Sequence, residues 1–307
     1  MSARIVRLVM LPFTLVVILL LGSARAMSEA PASTSLPRTA DGQPDIHGYW
    51  FHTVSGSALN GWEACYCDDD PEYKHSHNTV ARKSLISDPP DGKVPYQPWA
   101  EARYKEVHDQ LAGRSLEDLL EGAFPVKPEY VDPQLRCAPA GLPAVHGHLE
   151  PFQILQPKGQ VVFLYQYPRS LHRGVPLDGR PHVGKNVPLW MGDSRGRWEG
   201  NTLVVDITNT NPQTWFDKVG SFHSDALLMV ERFTFADIDT LQYQATITDP
   251  KVFTRPWTVA LELRRQKNEQ VQFVVESECN ERGNPDLYGI LRVKHPKSVG
   301  KGWVERQ

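Results

Sequence analysis

His223-Ser224-Asp225, followed closely by Glu231-Arg232, gathers within one short stretch the residue types that proton transfer needs. An imidazole titrates near neutral pH, so beside carboxylates it shuttles protons under physiological conditions. Glu231 alternates with Met229 and Phe233. A strand here therefore sets its carboxylate among apolar side chains, where burial raises a carboxyl pKa toward the range useful for acid–base work. Arg232 falls on the other face of a regular strand. The competing reading of these residues is an ordinary ion pair holding neighbouring strands.

Other sets are weaker. Arg169, His172, Arg173, Asp178, Arg180 and His182 form a polar stretch between strands. As a loop over a barrel mouth, its arginine forks suit an anionic ligand group; as a solvated loop it has no such task. Trp190, Trp198, Trp215 and Trp257 suit a core, although aromatic walls also suit an apolar ligand. Gly192-Asp193-Ser194-Arg195-Gly196 matches G-x-S-x-G, but that nucleophile elbow needs a strand–turn–helix, and here a hairpin follows. An esterase is not expected.

Cys65, Cys67, Asp68, Asp69, Asp70, Glu72, His75 and His77 include the ligand types of a zinc site. The spacing lacks the usual C-x-x-C, and exported thiols tend to be oxidised, so a hydrophilic loop is the preferred reading. His146, His148 and Glu150 form a second weak set: they alternate as strand neighbours would, and Gly147 between the histidines also fits a turn. No metal is assigned. No glycine-rich phosphate loop or dinucleotide fingerprint occurs, so no cofactor is expected.

The elements that must position these residues are mostly strands. From residue 152 the hydrophobic period becomes two and recurs as hairpins: Phe152–Gln156 with Val161–Tyr167, Arg197–Glu199 with Leu203–Ile207, Leu227–Phe235 with Leu241–Thr248, and Trp257–Arg264 with Val271–Ser277. Gly200-Asn201 is a strong two-residue turn signal. About eight antiparallel strands must hide their edges, which predicts a closed, lipocalin-like barrel, with a β-sandwich as the alternative. Val161, Phe163, Tyr165 and Tyr167 share one face, as do Leu241, Tyr243, Ala245 and Ile247, and Trp257, Val259, Leu261 and Leu263. Either face fits a lumen, the large one making it solid and the polar one wet. Residues 27–150 read as an irregular wrap whose helical stretch is 98–122, with a second short helix entered at Ser115 and Asp118.

Residues 1–26 read as a secretory signal, with an uncleaved N-terminal anchor as the alternative. Arg4 and Arg7 precede the apolar run Leu8–Leu21, and Ala24-Arg25-Ala26 supplies the small-x-small pattern. Removing them takes away three arginines and no acid, moving the formal charge from −3 to −6. The acidic balance speaks against nucleic acid as a partner, and after cleavage no segment is left to hold a membrane. The expected location is periplasmic or secreted. There the four cysteines favour disulfides. A Cys65–Cys67 bridge closes a small strained ring, whereas Cys137–Cys279 closes a long loop worth roughly 3–5 kcal/mol in the chain-entropy model. Cys137–Cys279 is the preferred pair, and residues 283–307 read as a tail.

The strings PDIHGYW (44–50), RCAPAGLP (136–143), MGDSRGRWEGNTLVVDIT (191–208), HSDALLMVERF (223–233) and TDPKVFTRPWTV (248–259) resemble the motifs PDLSGVW, RCxPxGxP, GxSxGRWEGDTLVV, HxEALxVxERF and DDPKxYTxPW. These mark a group of secreted bacterial proteins of unassigned function. The resemblance implies an exported, β-rich protein and carries no activity. Cys65–His77 departs from it.

Two functions follow as expectations. The first is a cofactor-independent lyase or isomerase acting on a small, partly apolar molecule. His223, Asp225 and Glu231 would share proton transfers, while Arg173, Arg232, Tyr165, Trp190 and Trp257 would bind substrate. The second is a binding or carrier protein for the same kind of molecule. They differ in whether a carboxylate–imidazole pair faces the interior.

Overall fold

The computed structural model describes residues 36–54, 61–68, 79–111, 130, 132–136, 138–148, 150–166 and 171–268. Its strands are β1 Gly48–His52, β2 Cys65–Asp68, β3 Thr79–Arg82, β4 Ile86–Asp88, β5 Phe152–Leu155, β6 Gln160–Tyr165, β7 Leu171–Pro176, β8 Asp193–Glu199, β9 Thr202–Thr208, β10 Leu228–Asp237, β11 Thr240–Thr248 and β12 Trp257–Arg265. Helix α1 is Pro98–Leu111. Signal residues 1–26, Cys137, Cys279, the segment at Ser115, Val271–Ser277 and the tail lie outside the described residues.

Nine strands form a nearly closed antiparallel barrel in the order β7-β6-β5-β1-β12-β11-β10-β9-β8, and β4 adds to β12. β2 and β3 make a separate pair. Three of the four expected hairpins are present as β5–β6, β8–β9 and β10–β11; the second strand of the fourth lies outside the described residues. Two elements differ from expectation. Residues 171–176, read as part of a loop, are strand β7, whose buried positions Arg173 and Val175 alternate with exposed ones. The wrap also supplies a barrel strand, because β1 sits between β5 and β12. Trp50 is fully buried and donates its indole N–H to the Ile46 carbonyl at 2.9 Å. Five residues among prolines, glycines and acids are too short a run for periodicity to stand out.

The large-residue face is the inner one. Val161, Phe163, Tyr165, Leu241, Tyr243, Ala245, Ile247, Trp257, Val259, Leu261 and Leu263 are all buried, and burying each large apolar side chain is worth about 1.5–3 kcal/mol. Gln242, Gln244 and Arg264 face out. The interior is therefore a packed core at these levels.

No ladder joins β7 to β8 among the described residues, so side chains close the seam. Arg173 donates from Nε to Ser194 Oγ across it at 2.9 Å. A Cβ at Gly196 would lie 2.7 Å from Val175 and from Leu177; only a glycine lets the two strands approach so closely. On the outside, Ala100 and Val107 bury the inner side of α1, and a Cβ at Gly220 would meet Val107 at 2.5 Å.

Candidate functional site

Glu231 projects inward from β10, opposite Ala245 of β11 and Val205 of β9. These modest neighbours leave the carboxylate room to reach across the lumen. Arg173 comes from β7, opposite Phe163 of β6, with its guanidinium 5.5 Å from that ring's centroid. The third member is carried by no strand. The turn Ala144–Gly147 is wholly buried and sets the His146 ring against five aromatic rings, Phe152, Phe163, Tyr165, Phe233 and Tyr243, at centroid distances of 4.7–5.7 Å.

Arg173 Nη2 forms an ion pair with Glu231 Oε2 at 2.6 Å. His146 Nε2 lies 3.2 Å from Glu231 Oε1, and Tyr243 donates its hydroxyl to the same oxygen at 2.7 Å. No residue of this group, Tyr165 and Ser194 included, is more than 3% exposed. Five polar atoms in it have no hydrogen-bond partner among the described residues; Arg173 Nη2 and Glu231 Oε2 face each other in the ion pair, which leaves His146 Nδ1, Arg173 Nη1 and the Tyr165 hydroxyl. Buried polar atoms are nearly always partnered, so three in one cluster mark a place for a polar group from elsewhere.

Burial would raise the Glu231 carboxyl, but Arg173 and then His146 outweigh it and hold it at about 2. This corrects the sequence expectation of an upward shift: the charge across the lumen decides, not the apolar wall. Burial lowers His146 against the opposing pull of Glu231, so its ring is neutral. Burial also acts to lower Arg173, and Glu231 more than offsets it. An ionised carboxylate only accepts hydrogen bonds, so the His146 proton sits on Nε2 and donates to Glu231. Nδ1 then presents its lone pair. A neutral imidazole oriented by a carboxylate, beside the free donors of Arg173 and Tyr165, has the parts of a general base with an oxyanion site.

Of the residues singled out from sequence, the structure brings Glu231, Arg173 and Tyr165 together and sends the others elsewhere. His223 is buried but belongs to another contact set. Its Nδ1 lies 3.0 Å from the Ser224 carbonyl, its Nε2 2.9 Å from the Thr214 hydroxyl, and the ring packs on Phe216. No hydrogen bond, ion pair or ring contact joins it to Glu231 among the described residues. Asp225 is exposed and pairs with Lys251 at 2.6 Å. Arg232 points outward to Glu199 at 3.0 Å. Trp190 is 41% exposed on a loop, while Trp257 is core, packed on Phe216 and Phe253.

Ser194 of the G-x-S-x-G string lies within β8 and accepts from Arg173, which is no nucleophile elbow. His148 turns away from His146 to Gln134 at 3.1 Å. Among the described residues no three His, Cys, Asp or Glu side chains come together as a metal site; residues 69–78 lie outside them. His182 and Asp193 form a separate pair at 2.8 Å near the seam.

Sequence reasoning missed His146 as the partner of Glu231. The two are 85 residues apart, and the only signal was an imidazole inside an apolar, proline-bounded turn. No protein-family model matches the chain, and a search of curated proteins gives no match.

His223→Ala is expected to lower stability by about 1–3 kcal/mol, because it strips the Thr214 hydroxyl of a buried partner. Urea denaturation measures the loss. Unchanged stability would show that these bonds contribute nothing.

Proposed function

We propose that the protein is an exported, cofactor-independent enzyme of the lyase or isomerase type. It moves a proton on a small, partly apolar organic molecule. The observation that carries the reading is the open lone pair of His146 Nδ1 on a neutral ring, held by ionised Glu231 in the same buried cluster as Arg173 Nη1 and the Tyr165 hydroxyl.

His146 Nδ1 takes a proton from a carbon next to a carbonyl. The electron pair of that C–H bond becomes a C=C bond, and the carbonyl π pair moves onto oxygen. The resulting charge meets Arg173 Nη1 and the Tyr165 hydroxyl, while Glu231 stabilises the imidazolium. Returning the proton to another carbon isomerises the molecule; expelling a group from the next carbon eliminates it. Export is supported by the signal-like residues 1–26 and the acidic remainder of the chain.

The fully buried, charge-balanced cluster favours one second reading, a binding protein that holds the same molecule without chemistry. Incubation with cyclohexanone or phenylacetaldehyde in D2O, followed by proton NMR, tests the first. Protein-dependent loss of α-proton signal above the buffer rate is expected. A ligand that binds but shows no such loss would replace the enzyme by the binding protein.

A further inference from the structure

We infer that the group received by this cluster is an uncharged carbonyl-type oxygen on an apolar body, not a carboxylate or phosphate. The inference rests on the site proposed above and deepens it.

The charge count decides. Arg173 contributes one positive charge and Glu231, 2.6 Å away, one negative. His146, Tyr165 and Tyr243 are neutral, so the sealed cluster already sums to zero. An arginine whose charge is spent on a neighbouring carboxylate still has N–H groups to donate, and Nη1 is free. It has no net field left with which to draw an anion out of water. An anionic ligand would give the barrel interior an uncompensated negative charge close to Glu231, which burial penalises heavily.

A neutral oxygen faces no such barrier. It can accept from Arg173 Nη1 and Tyr165 Oη, neither of which has an acceptor in the cluster. The same count corrects the sequence reading, in which Arg173 as an exposed loop residue was suited to an anion. Phe152, Phe163 and Phe233 pack directly on the His146 ring, so an apolar body that reaches the cluster must part these rings and then lies among them.

Binding of cyclohexanone and of cyclohexanecarboxylate, followed by calorimetry and thermal shift at pH 7, separates the possibilities. The ketone should bind about tenfold or more tighter than the matched acid. Glu231→Gln removes the neutralising charge and should reverse that order. Because that variant could lose its fold, Tyr165→Phe supplies an independent reading. Its hydroxyl is buried without an acceptor for its proton, so removing it should change the stability of the free protein little, yet weaken the ketone by roughly 2–10-fold. Equal or tighter binding of the acid by the wild type, no binding of either probe, or unchanged ketone affinity in Tyr165→Phe would each overturn the inference. Ketone binding without proton exchange would leave it standing and remove only the enzymatic reading.

Discussion

Arg173→Ala is expected to lower stability by about 3–5 kcal/mol, because it leaves the Glu231 carboxylate buried without its counter-charge. Tyr243 and His146 would still donate to Oε1, but Oε2 would lose its ion-pair partner. Arg173→Met with Glu231→Leu, which removes both charges and fills the volume, should lie close to the wild type. Urea denaturation of the single and double variants measures both. A single variant as stable as the wild type would show that the pair is not buried as described.

The same pair sets an acid limb of stability. Glu231 titrates at about 2 in the folded protein, below its unfolded value. The stability it contributes is complete above the ordinary glutamate range and is lost as pH falls through that range toward 2. The buried histidines act at higher pH. His52, His146, His148 and His223 all titrate below the ordinary imidazole value, burial being the first cause in each and His148 reaching about 4. The unfolded chain therefore takes up their protons first, and stability begins to fall below about 6.5. The wild type should show both limbs, and the charge-free double variant should lose most of the lower one.

His146→Gln should lower proton exchange by roughly 10²–10⁴-fold, the usual worth of one general base. The amide of glutamine keeps a donor for Glu231 but has no basic lone pair. His146→Phe, which keeps an aromatic ring among the five that surround it, should be equally inactive. The two variants fail differently as structures, since one keeps the hydrogen bond and the other the ring packing, so a shared loss of activity points to the base. The wild-type rate should rise with pH through an apparent pKa below 6.5 and then level off, because His146 is depressed by burial. Turnover per folded molecule that survives either substitution would remove His146 from the chemistry.

What the chain determined alone is what alternation can carry. In a strand successive side chains point to opposite faces. The run Met229, Glu231, Phe233 therefore had to share a side and Arg232 had to take the other, and the structure places them so. The hairpins, the inner faces of β6, β11 and β12, and the barrel class were legible for the same local reason. Sequence proximity misled only where it stood in for spatial proximity. His223 is eight positions from Glu231 but lies before β10, beyond a turn at residues 225–226, so neighbours in the string end in different contact sets.

Only the tertiary structure decided what lies across the lumen. Closing the sheet brought Arg173 from β7 to Glu231 on β10, and the buried turn at residues 144–147 set His146 against the other carboxylate oxygen. The direction of the Glu231 shift followed. Alternation says which face a carboxylate takes, but its pKa depends on the charge it meets there, and that charge comes from chain segments whose separation no local period records.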